Sequence, residues 1–333
     1  MRKKAFIALV IFLLISGAVG FRHMYLRTPP QDATGKEADI ARLFDGRTVS
    51  ESYINFKSRY ANLAEREQHS AAHIFGRKLY EHAGIAGFSV CDSSFGFGCF
   101  HTFIPLAIAD HGEAVVAELD RSCVKTYGAV GLGCSHGIGH GLAAYFGYTE
   151  NGLQKALILC DSLSWKSPYG GCRDGAFMEY NLRTMIADPL RRARPFSSTE
   201  QYRPCISVSG KSQIACYFNL PQWWQRSLQE ESAPPENVGK LCAGVSRDAL
   251  QEACFRGVGY SFGPITQFDA TRGAALCDNL PISRLGKIRC REGLAWALWA
   301  DPVHRAQAEP ACTLGLTKNE SDKCNREYLF TIK

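Results

Sequence analysis

Methionine is scarce in this chain, four residues in 333, which argues against a copper(I) carrier built on thioether sulfur. No two cysteines stand two residues apart, so redox and zinc-knuckle motifs are absent, and so is a haem-attachment motif. Gly131-Leu132-Gly133 and Gly137-Ile138-Gly139 follow no strand pattern and carry no Walker lysine, which excludes a phosphate loop. Ser135 lies next to His136 but not in a nucleophile elbow, so a serine-hydrolase triad has no support. Charge of one sign is also thin. The net charge of +6 is spread over the whole length, and past the N-terminus the basic residues are scattered apart from a short cluster at Arg191, Arg192 and Arg194. A nucleic-acid binder would carry a denser basic face, and no nucleic-acid partner is expected.

The N-terminus is richer. Arg2, Lys3 and Lys4 precede an apolar run from Ala5 to Ile15, and Ser16-Gly17-Ala18-Val19-Gly20 follows. These are the charged, apolar and small-residue zones of an export signal, with cleavage after Ala18 or Gly20. If residues 1–21 stay uncut they form a short signal anchor, with the basic flank cytoplasmic and the body outside. Either way the body is exported, periplasmic or extracellular, membrane-anchored or secreted, and disulfides become permissible. Residues 22–48, with Thr28-Pro29-Pro30-Gln31-Asp32, read as a linker.

From residue 49 to 333 the pattern is helical and repeated. Tyr53, Phe56, Tyr60 and Leu63 recur at three- and four-residue spacing, and a second helix carries His69, His73, Phe75, Leu79 and Tyr80. All 14 cysteines then fall into seven pairs: 91/99, 123/134, 160/172, 205/216, 242/254, 277/290 and 312/324. The first members are 32, 37, 45, 37, 35 and 35 residues apart, a period typical of repeat architectures. The longest interval holds Arg191–Pro195, read as a loop insertion. In each unit a helix ends at the first cysteine, a polar or glycine-rich connection follows, and the second cysteine opens the next helix. The fold class expected is therefore all-α: about seven disulfide-stapled helical hairpins forming an open α-solenoid or a closed α/α toroid. Pairing within each unit is simplest, though bridges between neighbouring units fit the same spacing.

The segment Cys91-Asp92-Ser93-Ser94-Phe95-Gly96-Phe97-Gly98-Cys99-Phe100 resembles the stapled hairpin of secreted, cysteine-rich Sel1-like repeat proteins. That resemblance implies stacked helix pairs with one bridge each, as in the tetratricopeptide class, and carries no functional residue.

Aligned on the second cysteine, four units share Cys-x-x-Gly, with Gly137, Gly175, Gly257 and Gly293 as the glycines. A helical glycine costs about 1 kcal/mol against alanine, so its repetition implies close backbone approach. The residue before each glycine is polar: His136, Asp174, Arg256 and Glu292, with His101 equivalent in the first unit. Equivalent positions of a repeat array share one surface. His69 and His73, like His136 and His140, stand four apart on one helical face, a spacing that lets two imidazoles reach one ion. With His101 they make a candidate site for a divalent metal ion, Zn or Fe, and Asp174 and Glu179 are its candidate proton acceptors. Neither pair carries the zincin glutamate, so that protease class is excluded. The competing expectation is a non-enzymatic cell-envelope scaffold binding a protein partner along a concave face, with the histidines merely hydrogen-bonding between hairpins. His23, His82 and His304 read as surface residues, and His111 as a helix C-terminal cap.

Overall fold

The computed structural model describes residues 32–128, 132–185, 193–230, 236–301 and 303–330. The export segment 1–21, residues 22–31, and Arg191 and Arg192 of the basic cluster lie outside the described residues. Among the described residues no helix is long and apolar enough to cross a membrane, and no strand occurs.

Helix α1 (Ala33–Ala41) begins inside the segment expected to be a linker. The Asp32 carboxylate accepts from the Gly35 amide and starts it, and fully buried Ile40 ties it to the core. Residues 33–44 of the stretch read as a linker are thus helical, held by buried Ile40 and Phe44 and by the Asp39 carboxylate, which accepts from Arg59 and the Tyr60 hydroxyl. Helix α2 (Val49–Tyr60) opens with a Thr48–Glu51 capping box and buries Tyr53, Phe56 and Tyr60, as their spacing predicts. Helix α3 (Glu65–Ala83) buries Ala71, Ala72, Phe75, Leu79 and Tyr80 on one stripe and leaves His69 and His73 half-buried on another.

The stapled units follow. Helix α4 (Gly98–His111) emerges from the Cys91 turn. Then come α5 (Val116–Tyr127) with α6 (Leu132–Phe146), α7 (Glu150–Ser162) with α8 (Gly171–Leu182), and a short 3-10 turn at Cys205–Ser207 leading into α9 (Gly210–Glu230). Helices α10 (Glu236–Ala243) and α11 (Asp248–Ile265), α12 (Ala270–Asn279) and α13 (Arg284–Ala300), and α14 (Ala308–Thr313) and α15 (Lys318–Phe330) complete the array. Every disulfide closes within its own unit, in the seven sequence-adjacent pairs, and no cysteine is free. Seven structural bridges are the mark of an oxidising, extracytoplasmic compartment.

The second helix of each unit packs on the second helix of the next. The sequence α3, α4, α6, α8, α9, α11, α13 forms one continuous inner layer, and the first helices cover it from outside. Inner position shows in burial: in α13 every residue from Ile288 to Leu298 is buried, charged ones included. Glycine makes the close approach possible. A Cβ on Gly175 of α8 would sit 2.0 Å from the His136 carbonyl oxygen of α6, and one on Gly139 of α6 would sit 2.0 Å from the Cys172 carbonyl of α8. The same contact recurs between Gly257 and the Phe218 carbonyl. The array curls until its ends meet. His304, just past α13, lies 3.3 Å from Glu65 at the start of α3. Trp296 of α13 meets Phe218 of α9 at 5.2 Å and Tyr169, at the entrance to α8, at 5.8 Å between ring centroids. The curl thus brings the start of α3 next to the segment that follows α13. Trp223 and Trp224 are fully buried core, their indole N–H groups donating to the Arg194 and Gln201 carbonyls. Arg194 packs over the Trp223 ring at 3.6 Å rather than joining a basic face.

Candidate metal centre

The five histidines singled out by spacing come from three consecutive inner helices. His69 and His73 lie on α3, His101 on α4, and His136 and His140 on α6. Both four-residue pairs turn their Nε2 atoms toward each other, 3.0 Å apart for His69 and His73 and 2.9 Å for His136 and His140. His101 stands between the pairs, with ring centroids 5.3 and 5.5 Å from His69 and His73 and 5.5 and 5.1 Å from His136 and His140. Donor atoms of His69, His73 and His101 lie within 4.8 Å of one another, and so do those of His101, His136 and His140.

The outward nitrogens are held from behind. His136 Nδ1 lies 3.0 Å from an Asp174 oxygen and His140 Nδ1 2.9 Å from Glu179. His69 Nδ1 lies 2.9 Å from the Phe95 carbonyl. An ionised carboxylate or a carbonyl can only accept, so each of these three Nδ1 atoms carries a proton, and Nε2 of a neutral ring then keeps its lone pair. For His69 and His73 the contact is satisfied if His73 donates. For His136 and His140, whose Nε2 atoms face each other at hydrogen-bond distance, it is satisfied by a second proton on one ring or by a cation held between the two.

The electrostatics agree. Burial holds His69, His101 and His140 below the ordinary histidine range, and at His101 the surrounding imidazoles deepen the shift. At His140 the Glu179 bond opposes burial without reversing it. These rings are neutral near pH 7, the form that ligates metals. Burial alone would raise Glu179, yet bonds from His140, Thr184 and Tyr148 keep it below the usual carboxylate range.

Asp174 and Glu179, expected as proton acceptors in catalysis, stand behind the histidines. Fully buried Glu179 accepts from His140, the Tyr148 hydroxyl at 2.7 Å, the Thr184 amide and hydroxyl, and the Met185 amide at 3.0 Å. Its lone pairs are committed, so a base role gives way to one of orienting the ring. Asp174 likewise holds His136 on one oxygen and the Asn219 amide, 2.6 Å away, on the other. Carboxylate–histidine pairs of this kind fix the tautomer and raise the basicity of a metal ligand.

The polar position before each repeated glycine does form one surface, in neighbouring couples: His136 with Asp174, and Arg256 with Glu292 at 2.9 Å. The second couple belongs to an ion-pair network that also takes in Arg289 (2.5 Å from Glu292), Glu252 (2.8 Å from Arg289) and the Tyr169 hydroxyl (3.1 Å from Arg256). Tyr148, Thr184 and the Phe95 carbonyl escaped the sequence reading. They sit on connections between helices and leave no periodic signal. Among the remaining histidines, His82 is exposed against Phe44 and His111 ends α4. His304, expected on the surface, is largely covered at the seam. It pairs with Glu65 and, at 3.5 Å, with Asp301, and stacks on Phe268. These three could also gather around a cation, but the acids already have the histidine as partner. No family model, curated protein or solved structure matches this chain.

Proposed function

We propose that this is an exported metalloprotein whose toroid holds a divalent transition-metal ion on inner-layer histidines, with His136, His140 and His101 as ligands and His69 and His73 beside them. One observation carries the reading: two imidazoles whose Nε2 atoms stand 2.9 Å apart, each ring held from behind by a carboxylate. Carboxylates that hold the Nδ1 protons aim the Nε2 atoms at a common point, where a metal ion can take both. An all-nitrogen donor set suits Zn, Fe, Cu or Ni better than Mg or Ca. When bound, such an ion would supply Lewis acidity or activate water or oxygen. Asp174 and Glu179 orient the ligand rings, and the outer helices with their seven staples keep three ligand-bearing helices in register. An uncleaved N-terminal segment would tether the toroid to a membrane.

The scaffold reading depends on an open concave face. The Glu65–His304 contact, from the start of the first inner helix to the segment just past the last, narrows such a groove and favours an enclosed site. The test is elemental analysis of protein purified from an oxidising compartment without chelator. About one or more equivalents of a transition metal are expected, falling sharply in a His136→Ala, His140→Ala variant. Trace metal, unchanged in that variant, would overturn the proposal.

A further inference from the structure

Taking the metal-binding reading as its basis, we infer that the centre is built for two cations: one between His136 and His140, a second between His69 and His73, and His101 between them within reach of both, bridging the two ions as an imidazolate once its ring proton is released to solvent. Two nitrogens on one ion at the usual bond length of about 2.0–2.1 Å can be no more than roughly 4.2 Å apart. The five imidazoles do not gather as one compact set. They form two groups of three that share His101. Each group has its own chelating pair, on a different helix, with Nε2 atoms in contact. Each pair also has its own anchoring behind it, supplied by different parts of the chain: the Phe95 carbonyl for the α3 pair, and Asp174 and Glu179 of α8 for the α6 pair. A single-ion site would need only one of these arrangements.

Two carboxylates stand behind His136 and His140, and negative charge close behind a ligand strengthens its hold on a dication.

The experiment is a titration of metal-stripped, disulfide-intact protein with Zn(II), and separately with Co(II), read by native mass spectrometry. Wild type should bind two ions in two resolved steps. His69→Gln, His73→Gln should bind one ion and so should His136→Gln, His140→Gln, each losing a different step. His101→Gln should weaken both steps, and Asp174→Asn, Glu179→Gln should weaken about 10–100-fold the step that His136→Gln, His140→Gln loses while sparing the other. Glutamine keeps side-chain bulk and polarity, and circular dichroism checks each variant's helicity. Should a double variant fail to fold, the single substitutions His69→Gln and His136→Gln decide the same point. Saturation at one ion, abolished by changes in either pair, would overturn the two-cation inference and leave the metal site standing. No bound ion in any titration would refute both.

Discussion

Gly175→Ala tests whether the close approach of inner helices is what aligns the ligands. The added Cβ would lie 2.0 Å from the His136 carbonyl oxygen, 2.9 Å from its carbon and 3.2 Å from the His140 amide nitrogen. Ordinary contact begins near 3.4 Å, so α6 and α8 must part by roughly 1.4 Å at this point. Overpacking of this severity belongs at the upper end of the usual range, ~3 kcal/mol. Alanine's better helix propensity returns ~1 kcal/mol, leaving a net loss of ~2 kcal/mol. Gly257→Ala provides the control. Its Cβ would lie 2.0 Å from the Phe218 carbonyl, the same defect on a helix pair without ligands. Thermal melts under non-reducing conditions should show comparable losses for both variants, a few degrees each. Metal affinity, measured by competition with a chromophoric chelator, should separate them. Moving His136 and His140 away from Asp174 and Glu179 by an ångström should weaken binding by about tenfold or more, whereas Gly257→Ala should leave it unchanged. Equal affinity losses in the two variants, or a Gly175→Ala protein as stable as wild type, would refute the reasoning.

Glu179→Gln keeps the volume but removes the charge that fixes the His140 tautomer; metal affinity should fall about 10–100-fold with the helical circular dichroism spectrum intact, and an unchanged affinity would count against the orienting role. Cys205→Ala, Cys216→Ala opens a bridge spanning 11 residues and should cost ~3 kcal/mol in reversible unfolding, while non-reducing peptide mapping of wild type should recover the seven adjacent pairs and no free thiol. Acid stability should depend on Asp92. Burial alone would raise its carboxyl, but Lys57 at 2.8 Å, Tyr53 at 2.5 Å and the Ser94 amide at 2.8 Å hold it below the ordinary value. A depressed folded-state value contributes stability fully above about pH 4, and this is lost as pH falls through the lowered value. Asp92→Asn should thus be less stable than wild type near neutrality, with the difference shrinking toward about pH 2; a constant difference would contradict the assignment.

The repeat frame was legible because its causes are local. A disulfide spanning about a dozen residues can form only between chain neighbours brought together by a turn, so the cysteine spacing alone made within-unit pairing the simplest connectivity. Helix periodicity assigned α2 and α3 for the same reason. The Cys-x-x-Gly spacing announced backbone contact correctly, since a repeated helical glycine carries its cost only where something needs the room. Residues 33–44 were misread because composition is blind to a few buried anchors such as Ile40 and Phe44.

The sequence by itself determined the helices, the staples, the shared face of each histidine pair and the concentration of imidazoles in one half of the chain. Tertiary structure alone decided that α3, α4 and α6 are consecutive inner neighbours, which brings His69 and His73 to His101 and His101 to His136 and His140. It also decided that Asp174 and Glu179 stand behind the rings rather than before them, and that the array curls until Glu65 meets His304. The reason is one of range. Periodicity and spacing report interactions within a turn or a loop, whereas the rotation between successive hairpins depends on how closely their backbones pack. That rotation places side chains some 40 residues apart in sequence, such as His140 and Glu179, within a single hydrogen bond.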